Sequence, residues 1–249
     1  MDCPLYFNPK DMVKKNQCIF AFDETKPARF GVLPRYAKNE SQMQWFEVST
    51  CVIFHNANAW EEGDEVVLIM FQASIWVPLR CLTKLKWEYR FNLKTGEAKE
   101  RKLGEFQSDF PRINEEYVGR KNRYVYACIF DDATHISAVA KYDLSLEPEL
   151  GKEKLEVGGN VAGIAWHGEG RYGSEAVFIP KNPGREGDED DGYLMCFVHD
   201  EQTGKSEVIV IDAKTMSSEL VAVAQLPTRV PYGFHAMHVT EEQIKKQRA

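Results

Sequence analysis

The sequence predicts an all-β fold of the β-propeller type. Short runs rich in β-branched and aromatic residues recur along the chain between turn residues, as is typical of antiparallel strands. Few windows place apolar residues at helical spacing. Hairpin turns share one chemistry, because an Asn or Asp stands four residues before a Gly in both Asn92–Gly96 and Asp200–Gly204. A sandwich or a barrel also repeats hairpins, but a long series with one turn chemistry favours the propeller.

The predicted strands follow one another along the whole chain, and each is a β-branched or aromatic run that ends at turn residues. In order they are Cys51–His55, Glu65–Ile69, Trp87–Leu93, Tyr124–Phe130, Ile136–Leu144, Ala176–Pro180, Leu194–His199 and Glu207–Asp212. Only the tail, Thr240–Lys246, predicts a helix, with Thr240 as N-cap and Gln243 as its capping-box partner.

The connections between these runs indicate one domain over residues 1–249. Asp143 before Gly151, and Asp212 before Met216, are predicted to be degenerate copies of the repeated turn. The acidic stretch Asn182–Gly192 is predicted to be a surface loop, because its like charges repel. At roughly 40 to 50 residues per blade, the chain supplies about five blades.

Composition bounds the function. The chain has 249 residues and a formal net charge of −7, so it lacks the basic surface that nucleic-acid binding requires, and we expect no nucleic-acid partner. Its six cysteines form no C-x-x-C pair, and the opening residues show no secretory signal. Reduced thiols in a cytoplasmic protein are therefore expected. No G-x-S-x-G, Walker A or H-E-x-x-H motif is present.

Histidines are the remaining candidates for chemistry. His55 follows four apolar-leaning residues at a predicted strand end, and His235 follows a glycine and an aromatic residue. On composition alone, each is more often a hydrogen-bonded structural histidine than a metal ligand. His135, His167 and His199 stand beside charged or turn residues and are predicted to lie at the surface.

Several blocks of sequence, in order, resemble the carotenoid cleavage dioxygenases, most closely their plant 9,10(9′,10′)-cleavage type. They are FGVLPRYAK at 30–38, FHNANAWEE at 54–62, DFPRIN at 109–114, EGRYGSEAVFIP at 169–180, EDDGYL at 189–194, FVHDEQTGKS at 197–206, IDAKTMS at 211–217 and LPTRVPYGFHA at 226–236. They cover most of the chain.

The resemblance implies a seven-bladed propeller with iron(II) on its axis, held by four histidines that carboxylates brace. By this likeness His55 resembles the third iron ligand and His235 the fourth. Asp109 stands where the family often has a glutamate that supports the third ligand, and Glu175 resembles the carboxylate that supports the fourth. Neutral imidazoles leave the iron its charge and open positions, while each carboxylate fixes a ring's tautomer and orientation.

The implied reaction is oxidative cleavage of a carotenoid or apocarotenoid by dioxygen at the 9,10 and 9′,10′ double bonds. Phe54, Phe110 and Phe234 are candidates to line the apolar substrate tunnel, and ordinary blade core explains the three equally well. Peripheral attachment to a membrane is implied because the substrate resides there. The likeness to plant enzymes adds the plastid as an alternative location to the cytoplasm.

Two departures from the family qualify these expectations. The motifs that carry its first two ligand histidines are absent, so the chain resembles a C-terminal half. Residues 70–87, MFQASIWVPLRCLTKLKW, resemble nothing in the family. The alternative function is therefore a catalytically inactive fragment that acts in binding or interaction. An incomplete propeller also leaves open sheet edges through which chains can self-associate.

Overall fold

The chain forms an all-β structure, as the sequence predicts. The structure is a computed structural model that describes residues 1–15, 20–76, 81–131, 135–184 and 187–247, and for 73–76 and 81–85 it describes the backbone only. Within these residues no helix is long and apolar enough to cross a membrane.

Seventeen strands account for nearly all the regular structure in the described ranges. They are β1 (Leu5–Phe7), β2 (Phe20–Phe22), β3 (Ala28–Val32), β4 (Gln44–Val48), β5 (Val52–Glu62), β6 (Glu65–Trp76), β7 (Cys81–Asn92), β8 (Ala98–Gly104), β9 (Ser108–Arg112), β10 (Tyr124–Phe130), β11 (Ile136–Asp143), β12 (Val161–Trp166), β13 (Arg171–Gly173), β14 (Val177–Pro180), β15 (Gly192–Asp200), β16 (Lys205–Asp212) and β17 (Ala222–Gln225). Single 3₁₀ turns form at Glu40–Gln42 and Glu115–Tyr117.

Two short helices flank the strands. The predicted tail helix is α2 (Glu241–Lys246), and Thr240 and Gln243 form the full capping box. The other, α1 (Pro9–Lys15), was not predicted, because none of its residues is buried and it therefore carries no apolar periodicity.

The strands pair antiparallel in sheets that follow chain order. Strands β5-β6-β7-β8 form a four-stranded meander, while β1-β2 and β3-β4 are two-stranded sheets. A nine-stranded sheet has the order β17-β16-β15-β13-β11-β10-β9, with β12 added on β11 and β14 on β15. No sheet closes on itself in the described ranges, so the number of blades stays a prediction.

The meander and the large sheet share one apolar core. Val67, Ile69 and Phe71 of β6 pack in one cluster with Val125 of β10 and Ala138 of β11, all of them at least 95% buried. Further clusters lie between β3-β4 and the meander, and within the large sheet. Burial of one such side chain contributes about 1.5 to 3 kcal/mol, so this core holds the meander and the large sheet together. Strand β9 of the large sheet also contacts β5 of the meander.

The repeated turns form as the sequence predicts. Asn92 Oδ1 accepts the backbone N–H groups of the residues two and three places on, and Asp200 and Asp212 do the same. The fifth residue of each turn has a left-handed backbone, with φ of 77° at Gly96, 70° at Gly204 and 51° at Met216. The turn at 212–216 therefore has the same structure as the other two, with Met216 in the left-handed conformation that glycine adopts in them.

Three expectations need correction. His167 and His199 are buried, each 6% exposed, whereas His135 is half-buried. Burial lowers the pKa of His167 to about 4. The acidic loop also is not purely at the surface, because Asp190 is buried and pairs with Lys141 at 2.5 Å. The ion pair with Lys141 compensates the charge that Asp190 would otherwise bury unpaired.

The segment 70–87 continues the strands of its flanks. Its described residues extend β6 and begin β7, and the two strands pair from Glu65↔Asn92 to Trp76↔Cys81. Residues 77–80 lie outside the described residues. The described cysteines 3, 51, 128 and 196 are free thiols, as expected.

Candidate metal centre

The two candidate histidines, 180 positions apart in the sequence, meet at one site. The ring centroids of His55 and His235 lie 5.2 Å apart at an interplanar angle of 64°. The sequence predicted that this strand ends at His55, but β5 continues to Glu62. Its pairing with β6 shifts register on both sides of His55, between Ile53 and His55 and between Asn56 and Asn58. Such bulges re-aim side chains, and here they set the direction of the imidazole.

His55 is braced by a fully buried carboxylate. Its Nδ1 lies 2.9 Å from Oδ1 of Asp109, whose side chain is 0% exposed. Because the carboxylate accepts the Nδ1 proton, the Nε2 lone pair is left for a ligand. Asp109 belongs to β9, an edge strand of the large sheet that also contacts β5.

His235 is held mainly through its backbone. It lies in the irregular segment 226–239, with a left-handed φ of 61°. Glu175 Oε2 accepts the backbone N–H of His235 and, at 3.3 Å, that of Ala236. The same oxygen is 3.7 Å from His235 Nδ1, which is too long for a hydrogen bond. Glu175 therefore supports the backbone of this residue directly and its ring only electrostatically.

The irregular segment is anchored by residues that the sequence did not predict to support the site. His199 Nδ1 lies 2.9 Å from Ser206 Oγ, and that hydroxyl accepts the Val230 N–H at 3.0 Å. Arg229 Nε donates to His199 Nε2 at 3.3 Å. Buried His199 thus fixes the start of the segment that carries His235. Both its ring nitrogens are occupied within the protein, which makes it a structural histidine.

The candidate phenylalanines Phe110 and Phe234 touch the histidines. Phe110 and Phe234 stack at 5.7 Å with an interplanar angle of 6°. Phe110 also lies 5.0 Å from the His55 ring, and Phe234 lies 5.0 Å from the His235 ring. Phe54 is 45% exposed and lies in the β5 bulge, next to His55 in the sequence. An apolar wall therefore adjoins the imidazoles on the Phe110 side.

The donor set fits half of a histidine-only metal site. Two imidazoles stand close enough for one ion, and each has a carboxylate on its Nδ1 side. In the described part of the chain, no three His, Cys, Asp or Glu side chains are grouped so as to hold an ion together. His55 and His235 would thus supply two ligands, and any others would come from outside these residues.

Comparison with known proteins identifies the family of the chain. A profile of the RPE65 family, described as "Retinal pigment epithelial membrane protein", matches residues 1–240. The chain belongs to the RPE65 family. That family includes the carotenoid cleavage dioxygenases, so the resemblance drawn from the sequence blocks is confirmed.

Members of the RPE65 family with high identity are plant enzymes. The chain is 59% identical to a carotenoid 9,10(9′,10′)-cleavage dioxygenase of Crocus sativus, over 99% of this chain and 47% of that protein. It is 56% identical to such an enzyme of Arabidopsis thaliana, again over 99% and 47%. A relative at 39% identity is a chloroplastic 9-cis-epoxycarotenoid dioxygenase of Oryza sativa. The chain spans about half the length of the curated relatives it matches.

Solved structures of the RPE65 family show the same fold. Cobalt-substituted Synechocystis ACO superposes with a TM-score of 0.75 at 22% identity, over 93% of this chain and 48% of that one. A chimera of ACO and RPE65 gives 0.75 at 21% identity. The all-β, propeller-like architecture is therefore the fold of this chain.

Proposed function

We propose that the chain forms the part of a carotenoid-cleaving dioxygenase that supplies two histidine ligands, His55 and His235, to one iron(II). The observation that carries the proposal is the 5.2 Å separation of the two rings, with Asp109 and Glu175 behind them. Iron(II) held by neutral imidazoles keeps open positions and, when bound, supplies the activation of dioxygen for cleavage of a double bond.

The chain's own residues contribute orientation and an apolar surface. Asp109 keeps the proton of His55 on Nδ1, which leaves the Nε2 lone pair available to a metal shared with His235. Glu175 holds the backbone at His235 in its left-handed conformation. The stacked pair Phe110 and Phe234 offers an apolar wall along which a polyene lies without loss of hydrogen bonds. We also assign Phe54 to this apolar wall.

The proposed substrates are a carotenoid or apocarotenoid and dioxygen, and the products are two carbonyl fragments from the 9,10 and 9′,10′ bonds. The names of the plant relatives at 56–59% identity support this substrate class. We place the protein in the cytoplasm, with the plastid as the alternative that its chloroplastic relatives support. Peripheral contact with membranes is proposed because carotenoids partition there.

A hybrid chain tests the proposal. In it, residues 1–249 replace the matching segment of the Crocus sativus dioxygenase, so that a chain of full family length is restored. We expect this hybrid to hold about one iron per chain and to cleave a soluble apocarotenoid. His55→Ala and His235→Ala should each abolish iron retention, because no nearby side chain can replace the lost imidazole.

His238→Ala is the matched control, since it removes a histidine three residues from His235. Metal analysis and product detection give the result. Iron and turnover that persist after either substitution at His55 or His235 would remove that residue from the ligand set.

The second candidate is an inactive fragment that binds another chain. All four residues of β17 are exposed, and within the described residues this strand pairs only with β16, so its outer edge is open. An open edge pairs readily with a further strand. A hybrid that folds but retains no iron would favour this function.

A further inference from the structure

Strand β9 reaches both halves of the site. Asp109 supports His55, and three residues later Arg112 contacts the opposite half. We propose that Arg112 is a positioning residue that fixes Glu175 and, through it, the backbone at His235. The inference rests on the proposed function, because it assigns Arg112 to the same metal centre.

Arg112 closes a ring of contacts between three separate chain segments. Its Nε forms an ion pair with Glu175 Oε1 at 2.8 Å, and its Nη2 donates to the Ala236 carbonyl oxygen at 2.6 Å. The other carboxylate oxygen, Oε2, accepts the N–H groups of His235 and Ala236. The contact with Glu175 is an ion pair and the contact with Ala236 is a hydrogen bond, and an arginine can make both at once because its guanidinium group carries several donors and a permanent charge.

Burial makes the ion pair important. The Glu175 side chain is 4% exposed and that of Arg112 is 24% exposed. A buried carboxylate whose cation is removed carries a large desolvation penalty. Among the described residues, Arg112 is the one arginine or lysine in an ion pair with Glu175. Without Arg112, the Glu175 carboxylate would move toward solvent and lose its hydrogen bonds from the backbone N–H groups of His235 and Ala236.

The backbone at His235 needs such support. A left-handed φ at a residue other than glycine costs about 1 to 3 kcal/mol and persists only where the surroundings impose it. The irregular segment 226–239 has no strand ladder at His235 to do so. The contacts of Glu175 with His235 and Ala236, and of Arg112 with the Ala236 carbonyl, bracket this residue from both sides.

Because Asp109 and Arg112 share one short strand, β9 sets the relative placement of both imidazoles. A shift of β9 would move the support of His55 and of His235 together. The DFPRIN block of the sequence, at 109–114, therefore has a physical reason to carry an arginine at its fourth position.

Hydrogen exchange of the 249-residue chain tests the role of Arg112 without any metal. We compare Arg112→Met, which keeps the length of the side chain, with Arg112→Lys, which keeps the charge but loses the fork. Arg90→Met is the matched control, because Arg90 pairs with Glu62, Glu65 and Glu88 on the meander, away from the site. Mass spectrometry follows peptides from 226–239.

We expect Arg112→Met to speed exchange of the peptide that holds His235 and Ala236 by about tenfold or more, as loss of local protection does. Arg112→Lys should lie between it and the parent, and Arg90→Met should leave this peptide unchanged. Arg112→Met made in a Glu175→Gln background should add little, because the two residues act through one contact. Unchanged exchange in both Arg112 variants, or fully additive effects with Glu175→Gln, would overturn the proposal.

Cobalt(II) binding to the hybrid chain connects this role to the metal. Arg112→Met should weaken cobalt(II) affinity by about 10-fold and alter the visible spectrum of bound cobalt(II), as loss of outer support does. Faster exchange with unchanged affinity and spectrum would overturn the role at the metal. If the parent hybrid binds no cobalt(II) while exchange responds as expected, the proposed function fails and the support of the His235 backbone by Arg112 stands.

Discussion

Asp109 Oδ1 lies 2.9 Å from His55 Nδ1, although an aspartate stands there in place of the longer glutamate that the family often carries. The local backbone explains how the shorter side chain reaches the ring. Pairing of β9 with β10 shifts register between Tyr126↔Arg112 and Cys128↔Asp109, so β9 contains one extra residue. Phe110 lies in this bulge with a left-handed φ of 52°. The bulge turns Asp109 toward His55 and Phe110 toward the ring face.

Asp109→Asn should weaken metal binding by about 10- to 100-fold in the hybrid chain. The neutral amide no longer supports the basicity of the His55 imidazole, as the Asp109 carboxylate does. The fold should be kept, since the amide is nearly isosteric and its oxygen can still accept the Nδ1 proton. Titration with cobalt(II) measures the affinity. Asp188→Asn, at an exposed pair with Lys214, serves as control. Equal affinities for both variants would contradict the bracing role of Asp109.

Glu175→Gln should lower turnover or metal affinity by about 10- to 100-fold without abolishing either, because both imidazoles remain. Glutamine keeps an oxygen for the amides of His235 and Ala236 but loses the charge that pairs with Arg112. The hybrid's turnover of a soluble apocarotenoid and its iron affinity are the measurements. If neither changes, Glu175 has a purely structural role.

The sequence predicted much of the fold because the signals for strands and turns are local. Runs of β-branched residues located most central strands, and the Asn or Asp before Gly located the turns. The burial of His167 and His199 was missed because residues of other strands and segments enclose them. His199 is enclosed by Ser206 and Arg229, and His167 packs against Gly173, where any Cβ would meet its ring.

The support of the site was also beyond sequence patterns. Neither a bulge at Phe110 nor a left-handed His235 follows from propensity, since both residues are unfavourable there. Arg112 was visible only as a member of the DFPRIN block. Its contact with Ala236 spans 124 positions, and no periodicity reports such a contact.

Lys86→Met should stabilise the protein, and the gain should depend on pH. Lys86 is 3% exposed, its Nζ contacts the Ser108 hydroxyl at 3.1 Å and lies 4.0 Å from the Tyr142 ring centroid, and burial lowers its pKa to about 7. The unfolded chain, with an ordinary lysine pKa, therefore binds more protons than the folded chain between about pH 7 and 10.5. The penalty of burying Lys86 is largest at and below pH 7 and fades as the pH rises.

Methionine carries no such penalty, so Lys86→Met should raise the free energy of unfolding by about 1 to 4 kcal/mol at pH 7 and progressively less toward pH 10. Thermal unfolding of the hybrid and its variant at pH 6, 7, 8 and 9 measures the difference. Lys99→Met, at an exposed position of β8, is the control for loss of a lysine. A gain that does not shrink with rising pH would show that Lys86 is charged in the folded protein.

The 249-residue chain expressed alone should associate with itself, hold far less than one iron per chain and cleave no carotenoid. Only two imidazoles meet at the site within the described residues, and half of a ligand set loses much of the free energy of metal binding. A metal that binds only the folded state also stabilises it, so this support is lost as well. The open edge of β17 then offers unpaired backbone groups to another chain, because its residues are exposed and bear no charge.

Val223→Lys places a charge on that edge and should shift the chain toward monomer, while Lys205→Arg on β16 should not. Size-exclusion chromatography with metal analysis and product detection decides the matter. A monomeric parent chain with one iron that releases carbonyl products would show that these residues form a complete enzyme.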